Sequence, residues 1–224
     1  MNRFFLIDFF KQTNMDIRES LQWRYATKRF NADKKLSSEQ LEMLLDAVNL
    51  APTSYGLQPF EVILVEDAAL RAKLKEAAYG QPQLTEASHI LVFAANKDLS
   101  EEHIDAYVER TADQRGVSVD DLKDFRAAMV GAILSNDAEG RFQWAARQAY
   151  ISLGVLLSSA AVAGIDACPM EGFDKAGFDE ILGLSERGLS SVMMAALGFR
   201  SPEDKYAGLP KVRKSKDELI ERRS

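Results

Sequence analysis

Apolar positions change their period several times along the chain, and each change predicts an element. In "SSEQLEMLLDAVNLAP" Leu41, Leu44, Leu45 and Val48 fall on one helical face, Ser37 and Gln40 have capping-box spacing, and Pro52 marks a stop. "EVILVED" at 61–67 and "HILVFAANKD" at 89–98 are instead short continuous apolar runs between charges, which predicts buried strands. "SVMMAALGFR" at 191–200 reads as another strand. Helical spacing returns at 100–115 through Ile104, Tyr107 and Val108, and at 119–134 through Leu122, Phe125 and Met129. From Asp137 to Gly164 the chain is apolar nearly all round, which predicts a helix buried in the core or at a subunit interface, with Gly164 as its stop. An opening helix is predicted over 16–27, running into the polar turn "KRFNADKKL".

Separate strands among long helices predict an α+β domain. No repeat, low-complexity stretch or linker divides it, so residues 15–224 are read as one domain. Residues 1–14 stand apart: their apolar patch is broken by Asp8 and lacks a small-residue cleavage site, so a signal peptide is not predicted. Two readings stand, a short amphipathic extension or a natural start at Met15. No run of about 18 apolar residues predicts a membrane span.

Composition then limits the partners. With 46% hydrophobic and 28% charged residues the 224-residue chain is of ordinary globular type, and its net charge of −6 argues against an extended nucleic-acid surface. Any basic site must be local. The single cysteine, Cys168, cannot form an intramolecular disulfide and fits a reducing, cytoplasmic setting.

Dinucleotide-fold, phosphate-loop and hydrolase-elbow motifs are missing, and His89 and His103 lack partners at metal-ligand spacing. What remains is a set of short segments with unusual residue choices. "RYATKRF" places Arg24 and Lys28 at i and i+4 of the predicted first helix, and "LPKVRKSK" adds Lys211 and Arg213. Such basic forks suit a phosphate monoester, although a cation pair at that spacing also occurs on solvated helix faces. "APTSYGLQPF" at 51–60 is a loop or a binding segment. In "CPMEGF" at 168–173, Pro169 and Gly172 bracket backbone amides that can face a planar ligand; Glu171 is a candidate carboxylate, and Cys168 is read as a small core residue.

Taken together and in order, "RYATKRF", "APTSYGLQPF", "GQPQLTEASHILVFAA", "GVLLSSAAVAGIDACPMEGF" and "LPKVRKS" resemble the nitroreductase family, in particular its oxygen-insensitive NAD(P)H nitroreductases. The resemblance runs from Met15 to about Arg213. It implies a mixed central sheet surrounded by helices and an intertwined homodimer, with a C-terminal segment reaching the partner subunit. It also implies FMN as cofactor and NADH or NADPH as electron donor, with ping-pong reduction of nitroaromatics, quinones or related acceptors. No metal, nucleic acid or membrane takes part in that picture. Arg24, Lys211 and Arg213 would hold the FMN phosphate, beside Tyr25 and Ala26, with Lys28 nearer the ribityl chain. Pro52, Thr53, Ser54 and Gly56 would come from the other subunit, and Gln83 would lie by the flavin N1 and O2 side. Pro169, Met170, Glu171 and Gly172 would pass N5, and Tyr55 and Phe125 would line the open face for substrate. No catalytic side chain is implied, because the flavin carries the hydride. The chain departs from the family pattern at Ala26, often Ser, at Gly56 and Gly80, often Asn, and at Gln83, where a basic residue can stand. A dihydropteridine or flavin reductase on the same scaffold, or a non-catalytic flavin-binding protein, are the alternative readings.

Overall fold

The computed structural model describes residues 16–223; the expectations for residues 1–14 and for Met15 lie outside them. The chain runs α1 (Ile17–Trp23), α2 (Ser38–Asn49), β1 (Phe60–Val65), α3 (Ala68–Ala77), α4 (Gln83–Glu86) and β2 (His89–Asn96). It continues through α5 (Glu101–Arg115), α6 (Lys123–Ile133), α7 (Ala138–Val162), β3 (Asp166–Met170), α8 (Lys175–Ile181), β4 (Leu189–Gly198) and α9 (Lys216–Leu219). This is the expected α+β architecture. The strands lie in the order β1-β2-β4-β3, and all three pairings are antiparallel. The parallel component of the sheet among the described residues is the isolated bridge between Ala26 and Ala167.

Side chains alternate across a strand, so a strand covered on both faces reads as an unbroken apolar run. In β2, Leu91, Phe93 and Ala95 enter a core with α2, α5, α6 and α7, while Ile90 and Val92 enter a second core with α3 and α8. One residue breaks the alternation. Opposite Phe93 and Ala94, β4 presents Met193 and then Ser191, leaving Val192 as the extra residue of a bulge. Val192 and Met193 therefore share one core although they are neighbours in sequence.

The helix ends follow their local chemistry. Ser37 and Gln40 form the predicted reciprocal capping box, and Asp137 caps α7 by accepting from Gly140 N at 2.8 Å. α7 packs Ala149, Leu153, Leu156 and Ala160 into the core but leaves Tyr150 and Ile151 exposed on one face. Helices α3 and α8 were not read from the pattern; each is short and is anchored by one large buried apolar side chain, Leu74 and Phe178 respectively.

The opening helix corrects the expectation. It ends at Trp23, and Arg24 follows with extended dihedrals, φ −68° and ψ 144°. Arg24 and Lys28 are thus not neighbours on a helical turn. The segment instead runs beside the sheet, where Ala26 bridges Ala167 and Phe30 bridges Arg200, and Phe30 is buried. Aromatic and β-branched residues such as Tyr25 and Thr27 suit that extended path, and tertiary pairing outweighs helical spacing.

Phe93→Ala, which empties a fully buried site, should cost about 3–5 kcal/mol in urea denaturation. Ser37→Ala, which removes only a cap, should cost about 1 kcal/mol. Equal losses for the two variants would contradict the assignment of β2 as the shared wall of both cores.

Candidate active site

Although the first helix ends early, its successor segment still gathers the predicted basic residues. Arg24, Tyr25, Ala26 and Lys28 line one side of a cavity of about 390 Å³, and Lys211 and Arg213 line the other. The ammonium of Lys211 donates to the Arg24 backbone carbonyl, tying the two chain segments together. None of Arg24, Lys28, Lys211 and Arg213 is ion-paired with a carboxylate among the described residues. Burial, and then the like charge of Arg213, lower the pKa of Arg24. Burial, then Arg24, Arg213 and Arg200, lower that of Lys211. Both directions mean that this place disfavours its own positive charges until an anion joins them.

Two buried polar atoms make the fit more specific. Arg24 Nε and Gln83 Oε1 are both buried without a hydrogen-bond partner, a costly arrangement that a ligand with matching groups would relieve. Gln83 lies in the short helix α4 and is 3% exposed. The fully buried Cys168 of β3 links it to the basic group: burial pushes the thiol up, while Lys28, Gln83 and Arg24 pull it down. That environment keeps Cys168 protonated and inert, as its reading as a core residue requires. A dianionic phosphate with a polar ring beyond it matches these donors and the buried amide oxygen, and so the residues present fit FMN.

Further along the same edge, Pro169 and Met170 end β3, and Glu171 and Gly172 form the exposed loop after it. Gln81 Nε2 holds this loop by donating to Gly172 O at 2.7 Å. Burial, and then the nearby Glu171 carboxylate, raise the pKa of the Tyr150 hydroxyl on the exposed face of α7.

Pro52, Thr53, Ser54, Tyr55 and Gly56 lie elsewhere. They precede β1, and β1 and β3 stand at opposite edges of the sheet, roughly 14 Å apart at ordinary strand spacing. Ser54 N donates to Gln148 Oε1 of α7 at 2.8 Å, and Tyr107 of α5 donates its hydroxyl to Tyr55 O at 2.6 Å. Tyr55 has φ +59°, and its ring meets Phe125 of α6 edge-on at 6.0 Å. The two residues expected at the substrate face thus form one aromatic wall. One chain brings the phosphate-side residues together and holds the 52–56 loop apart from them.

Gly56 and Gly80, where the family pattern often has Asn, share a backbone requirement, and at Gly56 an added Cβ would also meet the Tyr107 hydroxyl at 2.6 Å. Both adopt left-handed backbone, φ +79° and +73°, a conformation that glycine takes without strain and asparagine tolerates. Three residues outside the sequence expectation also shape the site. Arg200 lies over the rings of Trp23 at 4.2 Å and Tyr25 at 4.7 Å, and its Nε donates to Asp166 Oδ1 at 2.8 Å. Asp204 accepts from Tyr25 and from the backbone of Lys28. Their partners are far away in sequence, so local spacing carried no signal for them.

A helix-flanked antiparallel sheet with a local basic cleft, whose cations have no carboxylate partner among the described residues, defines an α+β protein with a candidate anion site. The chain belongs to the nitroreductase family, whose model, described as "Nitroreductase family", matches residues 21–199. It is 33% identical to a Staphylococcus epidermidis protein provisionally named an NAD(P)H nitroreductase, over 93% of this chain and 97% of that one. A Staphylococcus saprophyticus protein with the same provisional name is 30% identical, over 94% and 98%. Among solved structures, a Bacillus subtilis protein provisionally named a nitroreductase is similar with TM-score 0.82 and 25% identity, covering 92% of this chain and 98% of its own. An Exiguobacterium sibiricum protein, also provisionally named a nitroreductase and crystallised in complex with FMN, has the same fold. Its TM-score is 0.78 and its identity 22%, with 95% and 99% covered.

The lowered Lys211 pKa has a definite sign. Below its folded value the charge penalty is complete; between that value and the ordinary 10.5 the unfolded chain binds more protons, so stability rises with pH. In phosphate-free buffer Lys211→Met should therefore unfold at no lower urea concentration than the parent near neutral pH, and its relative advantage should shrink as the pH climbs towards 10.5. A deficit near neutrality that shrinks with alkalinity would contradict the crowding, because a favourable Lys211 charge is lost as the pH rises through its folded value.

Proposed function

We propose that this chain is an FMN-dependent NAD(P)H oxidoreductase of nitroreductase type, working as a homodimer in the cytoplasm. The single observation that carries the reading is the convergence of Arg24, Lys28, Lys211 and Arg213 on one cavity with no ion-paired carboxylate among the described residues. Bound FMN would supply the hydride chemistry, taking electrons from NADH or NADPH and passing them to a nitroaromatic, a quinone or a related acceptor. The chain's own residues bind and orient. Arg24, Lys211 and Arg213 hold the phosphate, and Lys28 places a positive charge beyond it. Gln83 presents its buried amide to the polar edge of the ring, and the Glu171–Gly172 loop presents backbone N–H groups beside it.

The open face is completed by a second copy. The loop carrying Pro52, Thr53, Ser54 and Gly56 is displaced to the other sheet edge, so the partner's equivalent loop serves each site. Exposed apolar residues support this pairing. Tyr150 and Ile151 stand out on α7, and Leu209, Val212, Leu219 and Ile220 are exposed along the C-terminal segment, where a partner surface would cover them. Tyr55 and Phe125 then flank the substrate. Because donor and acceptor would use one open face in turn, they bind alternately.

Arg24→Ala combined with Arg213→Ala should lose FMN on desalting, while Arg187→Ala, a change at an ion pair with Glu61 remote from the cavity, should retain it. Full occupancy in the double variant would sink the phosphate assignment. In steady-state kinetics with a quinone acceptor, double-reciprocal plots at several NADH or NADPH concentrations should be parallel. Intersecting lines would contradict alternating occupancy.

A further inference from the structure

The two segments that carry the basic residues are far apart in sequence, and one carboxylate joins them. Asp204 is 4% exposed. Its Oδ2 accepts from the Tyr25 hydroxyl at 2.8 Å, Lys28 N at 2.8 Å and Arg29 N at 3.1 Å. Its Oδ1 accepts from Tyr206 N at 3.0 Å, closing the turn that leads on to Lys211 and Arg213. None of these donors is a guanidinium or ammonium head. An aspartate beside a basic cleft would ordinarily neutralise a cation there; this one fastens backbone and phenol and leaves the cations to the ligand. Burial pushes its carboxyl upward, but the N–H groups of Tyr206, Arg29 and Lys28 and the Tyr25 hydroxyl together hold it below the ordinary range.

We propose that Asp204 is a positioning residue for the cofactor phosphate, holding the 25–29 segment against the 206–213 segment so that Arg24, Lys28, Lys211 and Arg213 face one point. The assignment rests on the FMN reading above. It differs from a general stabilising role in a way that can be measured, because a misaligned cradle harms only ligands that carry phosphate. FMN and riboflavin share the ring and ribityl chain, and only FMN has the phosphate.

Equilibrium titrations of the full-length protein with FMN and with riboflavin, followed by flavin fluorescence, test it, together with the melting temperature without flavin. Asp204→Ala, which removes every acceptor, should weaken FMN binding about 10–100-fold, the range expected for losing charge-assisted bonds. Riboflavin binding should stay within about twofold. Asp204→Asn keeps the shape and one carbonyl oxygen and should fall between, and Tyr25→Phe, which removes one donor, should give the smallest loss. The smaller changes decide the matter if Asp204→Ala does not fold. Equal weakening of FMN and riboflavin, or unchanged FMN affinity in Asp204→Asn, would overturn the positioning role. A parent protein with no preference for FMN over riboflavin would instead overturn the phosphate reading itself, and this role with it.

Discussion

Four like charges gathered on one small cavity repel one another, and much of the surrounding structure exists to hold them there. Arg24 and Lys28 arrive after α1, Lys211 and Arg213 near the other end of the chain. Neither segment is a regular element with its own hydrogen-bond ladder. Their positions come from the sheet edge and from two buried aspartates. Asp166, in β3, binds the backbone and guanidinium of Arg200, which in turn covers Trp23 and Tyr25. Asp204 binds the backbone of Lys28 and Arg29. These carboxylates satisfy N–H groups that the missing ladder leaves unpaired. They fix the geometry of the cleft without cancelling its field.

The antiparallel sheet makes this edge rigid. β2 and β4 are buried on both faces, and β3 pairs with β4 from Asp166 to Met170. The strand that carries Asp166 and Cys168 is therefore held by the most buried part of the molecule, and the Ala26–Ala167 bridge passes that rigidity to the basic segment. At the opposite edge, the strained Tyr55 backbone is held by Tyr107 and Phe125. Strain of this kind persists only where surrounding contacts over-determine it, and it gathers at functional sites.

Much of this was legible in the sequence, for reasons that can be named. Strands β2 and β4 showed as apolar runs because both faces are covered, and α2 showed through Ser37, Gln40 and its single apolar face. The residues of the basic cavity were also legible, though for a partly mistaken reason. Arg24 and Lys28 were joined by helical spacing, whereas an extended segment brings them to the cavity. Asp166, Arg200 and Asp204 escaped notice because their meaning lies in contacts across 34 to 179 residues. Spacing along a chain reports neighbours on one element; it is silent on which loop aspartate will meet which backbone amide after folding.

The central claim is that the basic cleft holds FMN where NAD(P)H can reduce it. The most direct test is an anaerobic visible spectrum of the protein, incubated with FMN and desalted, before and after addition of NADH or NADPH. The account predicts that the flavin bands survive desalting and bleach with at least one nucleotide. Colourless protein would contradict the cleft's assignment, and a retained flavin that stays oxidised with both nucleotides would contradict the oxidoreductase.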